Sequence, residues 1–356
     1  MYAYLFVCYV KVMHVIEPSY ISPLLILLLF CVGVLVTVLA GTMLSRYADE
    51  LALRRNLDKG FIGMLFLAGI TSLPELAVCF SALLREPLTR GCDLALGNIL
   101  GSNLFNLFIL GLTGLFFART YHHMQVRRAQ KKSLLQGLIL IGWLALILQN
   151  QDTLNIQIPF LDCALVLLPI PLFYLWSLRS TQQQTEPLAA SSEIEPAHDQ
   201  RSFLFFYSRL ILLSLCVVAS GILLSYVGGR MTLSTELGGF NLSATFVGTL
   251  FLAFSTSLPE CVIAVAALRM GHADMAAGNI VGSNIFNLLI LCISDSVLRN
   301  ESLLAHCSPE HILSLIGIGL LSLAAYLFFR SRTQREHTCT AILIVLIYLF
   351  LLNLGI

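Results

Sequence analysis

The sequence predicts an all-α polytopic membrane protein, with ten transmembrane helices arranged as two inverted five-helix repeats. Three observations carry this prediction: the composition, the spacing of apolar runs, and a pair of motifs that occurs twice. Of the 356 residues, 57% are hydrophobic and 12% are charged, and that charged share is about half that of an ordinary soluble domain. The net charge of +1 shows no basic or acidic excess that would suggest a nucleic-acid partner.

Ten apolar runs follow one another along the chain. Each is near the length of about 20 residues that a helix needs to cross roughly 30 Å of hydrocarbon. Bounded by charged or turn-forming clusters, the runs lie at 22–44, 61–84, 93–118, 132–149, 158–178, 203–226, 241–268, 274–297, 309–329 and 339–355. We therefore expect ten spans with membrane lipid around them.

Two segments fall outside these runs. Residues 1–21 are apolar but are interrupted by Lys11 and Pro18, and they lack a small-residue cleavage site, so they make a poor signal peptide and have no assigned role. Residues 180–202 are rich in Gln, Ser, Glu and Pro, which is typical of a solvated linker. This linker divides the chain into two five-span repeats, 22–179 and 203–356.

The positions of Lys and Arg predict the orientation, because short cytoplasmic loops retain positive charge. Of the 21 basic residues, 16 lie in or beside the loops after the odd-numbered spans and 5 lie on the other side. This bias places the linker in the cytoplasm and both termini on the non-cytoplasmic side. We expect an integral protein of the plasma (inner) membrane.

Self-similarity within the chain is the most informative signal. The segment 61–75 matches 246–260 without a gap, ending in Thr-Ser-Leu-Pro-Glu both times, and 97–107 matches 278–288. If each half has five spans, an odd number, the second copy must enter the bilayer from the opposite side. Many secondary transporters use inverted repeats of this kind, with the ion site near the midplane where the repeats meet.

Each copy buries one acid, Glu75 or Glu260, deep in an apolar span that contains neither Lys nor Arg. A carboxylate in the membrane costs several kcal/mol unless it is paired, hydrated or neutralised. The missing positive charge is therefore best supplied by bound cations or by protons.

Other oxygen-bearing residues share helix faces with these acids, because positions four apart in a helix lie on one face. They are Thr71, Ser72, Ser102 and Asn106 in the first half, and Thr256, Ser257, Ser283 and Asn287 in the second. Pro74 and Pro259 have no N–H, so they should kink their helices and free the carbonyls four residues earlier, at Ile70 and Ser255. An all-oxygen site suits calcium, sodium or magnesium better than zinc or copper.

Small residues recur at four-residue spacing in the second motif of each half. Gly97 with Gly101, and Gly278 with Gly282, should let helices approach closely. Asn103 and Asn284 we expect to bond between helices instead of binding an ion. The ten cysteines and eight histidines show no metal-ligand spacing, which predicts that the cysteines have packing roles.

At these motifs the chain resembles the cation/calcium exchanger superfamily, in particular sodium/calcium exchangers, whose two alpha repeats carry TSxPE followed by GNxxGSNxFN. The resemblance implies that Glu75 and Glu260 are the central ligands, completed by the hydroxyl and amide residues named above and by the main-chain oxygens of Ala68 and Ala253. Family members usually have Gly before the TS pair. This chain has Ile70 and Ser255 there, so we expect a narrower cavity or an altered kink.

The resulting hypothesis is a secondary active antiporter that exchanges calcium for sodium by alternating access, as spans one and six slide against the rest. It needs no cofactor, and we expect it to function as a monomer. A proton/calcium exchanger, a sodium/magnesium exchanger and a passive cation channel remain alternatives. The spans contain no HExxH or GxSxG motif, so we do not expect an enzyme.

Overall fold

The computed structural model describes residues 20–54, 69, 71–123, 128–149, 157–158, 163–164, 167–182, 203–271, 273–298 and 301–355. They are almost entirely helical. The helices are α1 (Pro23–Arg54), α2 (Leu73–Arg85), α3 (Leu88–Phe116), α4 (Ala118–His123), α5 (Arg128–Gln149), α6 (Pro169–Gln182), α7 (Phe203–Met231), α8 (Ala244–Thr256), α9 (Leu258–Arg269), α10 (Ala273–Asp295), α11 (His311–Arg330) and α12 (Gln334–Asn353). A two-residue strand β1 (Gln157–Ile158) pairs antiparallel with β2 (Cys163–Ala164), and 3-10 turns occur at Thr235–Leu237, Ser296–Leu298 and Leu303–His306.

Within the described part of the chain, seven helices are long and apolar enough to cross a membrane: α1, α3, α5, α7, α10, α11 and α12. Helices α8 and α9 together form an eighth candidate, bent by 41°. The predicted count of ten spans is therefore not confirmed. The predicted span 158–178 contains the strand β2 and most of the 14-residue helix α6. The predicted span 61–84 is described only at residue 69 and from residue 71 on, and residues 1–19 and 183–202 lie outside the described residues.

The helices differ in how far their neighbours enclose them. In α3 and α10, 78% of the span residues are buried, whereas the share is 28% in α1 and in α12. Helix α1 exposes large side chains such as Leu28, Leu35 and Leu39, which suit hydrocarbon as solvent. Helices α3 and α10, which carry the second repeated motif, therefore form the centre of the bundle.

Helices α1 and α7 pack against each other along their lengths. They run antiparallel, because Thr37 meets Ser220 while the earlier Gly33 meets the later Leu224. The Thr37 hydroxyl donates to the Ser220 hydroxyl at 2.9 Å, and both side chains are buried. A buried polar contact of this kind is worth about 0.6–2 kcal/mol inside a membrane. It joins the two helices near the middle of their spans.

Each of these two helices also places a glycine against one of the proline motifs. A Cβ on Gly41 of α1 would lie 2.9 Å from Cγ of Pro259, and one on Gly221 of α7 would lie 2.6 Å from Cβ of Ala77, near Pro74. Because the contacts are that close, any larger side chain would push the helices apart. The α1–α7 pair therefore lies directly on both proline motifs.

Candidate cation-binding site

The two Thr-Ser-Leu-Pro-Glu segments adopt the same broken-helix geometry. In the first, Ser72 (φ −91°, ψ 13°) precedes α2; in the second, Ser257 (φ −90°, ψ 4°) separates α8 from α9. Pro74 and Pro259, two residues later, lie in the first turn of the following helix. Backbone N–H groups there have no acceptor within the helix, so the missing N–H of proline costs nothing. The predicted kink is confirmed at Ser257 by the 41° bend. Ile70 lies outside the described residues.

Both repeated acids are fully buried. Oε1 of Glu75 accepts hydrogen bonds from the hydroxyls of Ser102 at 3.4 Å and Ser257 at 3.3 Å. Oε2 of Glu75 and both carboxyl oxygens of Glu260 have no well-formed hydrogen bond from the described residues, although the Thr71 hydroxyl lies near enough to interact with Glu260. The two acids are close enough to repel each other when both are ionised.

The first motif of each half meets the second motif of the other half. The hydroxyls of Ser102 and Thr256 lie 3.3 Å apart, and those of Ser283 and Thr71 lie 3.4 Å apart. The two contacts are equivalent, because Ser102 and Ser283 occupy the same position in the two repeats, as do Thr256 and Thr71. The site is therefore assembled across the halves of the chain, and neither half completes it alone.

Four asparagines join α3 to α10. Asn106 donates from Nδ2 to Oδ1 of Asn284 at 3.0 Å, and Asn287 donates from Nδ2 to Oδ1 of Asn103 at 3.0 Å. The expectation that Asn103 and Asn284 bond between helices is confirmed. The pairing of 103 with 287 and 106 with 284 means that the two helices cross antiparallel.

Asn98 is a residue that the sequence reasoning missed. Its Nδ2 donates to the main-chain oxygen of Glu75 at 3.4 Å, and its Oδ1 accepts from the Thr256 hydroxyl at 3.3 Å. The signal was present in the sequence: Asn98 belongs to the repeated motif and precedes Ser102 by four residues, so it shares the face of Ser102 and Asn106. It holds both broken helices against α3.

Of the two predicted main-chain ligands, only Ala253 lies among the described residues. Ala68 lies outside the described residues. The Ala253 oxygen accepts hydrogen bonds from the backbone N–H of Ser257 at 3.1 Å and from the Thr256 hydroxyl at 3.3 Å.

Ser255, which stands where family members usually have Gly, does not point its hydroxyl into the site. The hydroxyl donates back to the Phe251 oxygen of its own helix at 2.9 Å. This back-bonding and the π-helical turn Val247–Leu252 just before it both favour a bent helix.

The other predicted site residues are all buried in the centre of the bundle. Six of their side-chain oxygens have no hydrogen-bond partner among the described residues: Ser72 Oγ, Glu75 Oε2, Asn106 Oδ1, Glu260 Oε1, Glu260 Oε2 and Asn287 Oδ1. Most buried polar atoms in proteins have a partner, since leaving one unpaired costs about 1–3 kcal/mol. Neither acid forms an ion pair with a described basic residue. Chemically, the arrangement is an anionic, all-oxygen cage suited to hard cations.

Comparison with known proteins identifies relatives of this chain. The sequence profile of the sodium/calcium exchanger protein family matches residues 25–190 and 199–354. The inner membrane protein YrbG of Escherichia coli is 32% identical over 270 residues, which cover 74% of this chain and 77% of YrbG. The sodium/calcium exchanger MaX1 of Methanosarcina acetivorans is 47% identical over 47 residues, 13% of each chain.

A solved structure of the sodium-calcium exchanger NCX_Mj has a similar fold, with a TM-score of 0.56 at 20% identity. The match covers 93% of this chain and 99% of that one. The profile match extends over most of the present chain and includes both acids and every polar partner described above. The chain therefore belongs to the sodium/calcium exchanger family of integral membrane transport proteins.

Proposed function

We propose that this protein exchanges calcium for sodium across its membrane at the centre formed by Glu75 and Glu260. The observation that carries the proposal is the pair of buried acids with no basic partner among the described residues, surrounded by unpartnered oxygens. Their two negative charges can be balanced by one Ca²⁺ or by sodium ions, and calcium prefers about six to eight oxygens. Either cation can neutralise the two carboxylates, but calcium and sodium cannot both occupy the site fully at the same time. This competition is the physical basis of exchange.

The antiparallel crossing of α3 and α10 supports an inverted arrangement of two repeats, 22–179 and 203–356. Helices with the same motif run in opposite directions, as they would if the second copy entered the bilayer from the other side. Ten spans, a cytoplasmic linker at 180–202, non-cytoplasmic termini, an inner-membrane location and function as a monomer complete the proposed architecture. Labelling of single introduced cysteines from each side of the membrane would test the orientation.

The position of the α1–α7 pair supports a mechanism of alternating access. Its glycines lie on Pro259 and beside Pro74, so displacement of the pair along its own axis would uncover one broken helix end and cover the other. We propose that this displacement opens the Glu75–Glu260 centre to the two sides in turn. Exposure of the site side chains is close to zero throughout, which suits an intermediate closed to both sides.

Transport by purified protein in liposomes tests the function. Vesicles loaded with sodium should accumulate radiolabelled calcium when diluted into sodium-free medium, and a sodium ionophore should stop the uptake. Protein-free vesicles are the control. Uptake driven by an imposed pH gradient instead would favour a proton/calcium exchanger, sodium-driven magnesium flux would favour a sodium/magnesium exchanger, and calcium flux without any counter-ion would favour a channel.

Ser102→Ala should weaken calcium binding without disturbing the fold. Its hydroxyl bonds both Glu75 and Thr256, and one such bond is worth about 1 kcal/mol. Because the hydroxyl is also one of the predicted oxygen ligands, a loss of similar size in calcium binding would raise the calcium concentration for half-maximal transport about fivefold, and thermal stability should fall by no more than about 1 kcal/mol. The matched control is Ser225→Ala, since Ser225 is also buried but its hydroxyl has no partner among the described residues. Equal half-maximal concentrations in the two variants would contradict the role of Ser102.

A further inference from the structure

A second group of ligand-type side chains lies away from the Glu75–Glu260 centre. Asp93 is in the second turn of α3, Cys307 follows the 3-10 turn Leu303–His306, and His311 is the first residue of α11. One ligand atom from each of these three residues lies within 4.8 Å of the others. His311 is fully buried, Cys307 is 5% exposed and the Asp93 side chain 16% exposed. The cluster is therefore compact and nearly closed to solvent.

Its chemistry differs from that of the central site. A thiol, an imidazole and a carboxylate supply one sulfur, one nitrogen and one oxygen, a mixture that suits zinc and related transition metals and does not suit calcium or sodium. The Cys307 thiol donates a hydrogen bond to the Leu303 carbonyl at 3.3 Å, so metal binding would release that proton to solvent. The resulting thiolate and the Asp93 carboxylate would carry two negative charges, which a divalent ion would neutralise. Oδ1 of Asp93 lies 3.1 Å from Nε2 of His311, a separation that two neighbouring ligands of one tetrahedral ion can adopt.

The surrounding backbone holds these side chains in place. The N–H of Ser308 donates to Oδ1 of Asp93 at 2.6 Å. Asp295, which is buried, accepts the N–H of Leu303 at 2.7 Å and the Ser302 hydroxyl at 3.2 Å. Those bonds fix the turn that carries Cys307. Supporting hydrogen bonds of this kind orient the ligands of protein metal sites.

The two ring nitrogens of His311 have different surroundings. Its Nε2 faces Asp93, while its Nδ1 is buried with no hydrogen-bond partner among the described residues. The imidazole is thus held in the core by its contact with Asp93 and by packing alone. A metal ion bound to Nε2 would add a strong bond on the side of the ring that already faces the other two ligands.

We propose that Asp93, Cys307 and His311 bind a tetrahedral transition-metal ion of the zinc class, with water as the fourth ligand. The ion joins the start of α3, from the first half of the chain, to the start of α11, from the second half. Asp93 precedes Ser102 by nine residues of helix, which is about 14 Å along the axis. The site is therefore separate from the transport centre, and it does not depend on the proposed exchange activity.

The competing explanation is a plain hydrogen bond between Asp93 and His311 that ties the two helix ends together. It predicts loss of stability when either residue is changed but no bound metal. Purified full-length protein, stripped with a chelator and titrated with Zn²⁺ or Co²⁺, distinguishes the two. We expect one metal per chain in addition to any at the central site, and a sulfur-to-cobalt charge-transfer absorption that only a thiolate ligand produces.

Matched variants assign the ligands. Cys307→Ser and His311→Ala should each lower the metal affinity by more than about 100-fold, since loss of even a supporting group costs about 10–100-fold. Asp93→Asn keeps an acceptor for the Ser308 N–H and serves where His311→Ala fails to fold. The controls are Cys339→Ser, an exposed cysteine on α12, and His306→Asn in the same loop, which pairs with Glu301; both should bind metal like the parent.

Three results would overturn the proposal. They are absence of zinc or cobalt binding to the parent protein, cobalt binding without the sulfur charge-transfer absorption, and affinity in Cys307→Ser or Asp93→Asn equal to that of the two controls. Thermal unfolding gives a further readout, because zinc should raise the unfolding temperature of the parent and leave that of Cys307→Ser unchanged.

Discussion

Glu260→Gln should abolish sodium-driven calcium uptake, lowering its rate by more than about 100-fold, and Glu75→Gln should do the same. Gln keeps the size of the side chain and removes one of the two charges that hold the cation. Two opposite unit charges about 4 Å apart attract each other by about 4 kcal/mol at an effective dielectric constant of about 20, and a divalent ion is attracted about twice as strongly. The measurement is initial calcium uptake into sodium-loaded vesicles, with equal amounts of reconstituted protein.

Thermal unfolding separates a lost ligand from a damaged fold. Calcium should raise the unfolding temperature of the parent, because a ligand that binds only the folded state stabilises it, and should have little effect on Glu260→Gln. Without calcium the variant should be at least as stable as the parent, since it no longer buries an uncompensated charge. The matched control is Glu86→Gln, at the end of α2, where the carboxylate pairs with Arg90 at 3.2 Å. Undiminished uptake in both Glu75→Gln and Glu260→Gln would eliminate the site.

Gly101→Ala should prevent stable folding. A Cβ on Gly101 would lie 2.6 Å from Cα of Thr249 and 2.7 Å from Cβ of Ala253, and nearer still to the Thr249 carbonyl oxygen. Overpacking a core typically costs about 1–3 kcal/mol when side chains can yield. Here the obstacle is mostly backbone, so we expect a cost of about 3 kcal/mol or more. Thermal unfolding and the yield of monodisperse protein after extraction are the measurements.

Gly142→Ala is the matched control, because Gly142 is also in a membrane helix but an added Cβ would meet nothing within 4 Å. Ala favours a helix over Gly by about 0.8–1 kcal/mol, so this variant should be as stable as the parent or more stable. If Gly101→Ala unfolded at the parent's temperature, the close contact between α3 and the π-helical turn Val247–Leu252 would be wrong.

The duplicated sequence predicted which residues gather at the centre but not how they pair, and symmetry explains the pairing. Two copies of a motif packed face to face must make each contact twice, so the Thr71–Ser283 and Thr256–Ser102 pairs follow from one another. Burial of Glu75 and Glu260 followed from their depth in apolar runs. Asn103 and Asn284 form interhelical hydrogen bonds as expected, and the Nδ2 groups of Asn106 and Asn287, residues predicted as ligands, are their partners.

Other features depend on tertiary contacts that no local pattern encodes. Asp93 and His311 are far apart in the sequence, and nothing in their spacing predicts that the starts of α3 and α11 adjoin. The 41° bend is signalled by Pro259, but its size depends on how α8 packs against α3. Hydropathy also predicted a helix throughout 158–178, where the structure has the strand β2 before α6, because apolar composition alone cannot distinguish a spanning helix from shorter buried pieces.

The hydrogen bond between Thr37 and Ser220 bears on whether the protein leaks cations when it is not transporting. Because α1 and α7 are hydrogen-bonded at mid-span and each contacts a different proline motif, we expect the two helices to move together. Under the proposed mechanism, the gates on the two sides of the membrane would move as one unit and would not be open at the same time. Cations would therefore not leak through the protein between transport cycles under this mechanism.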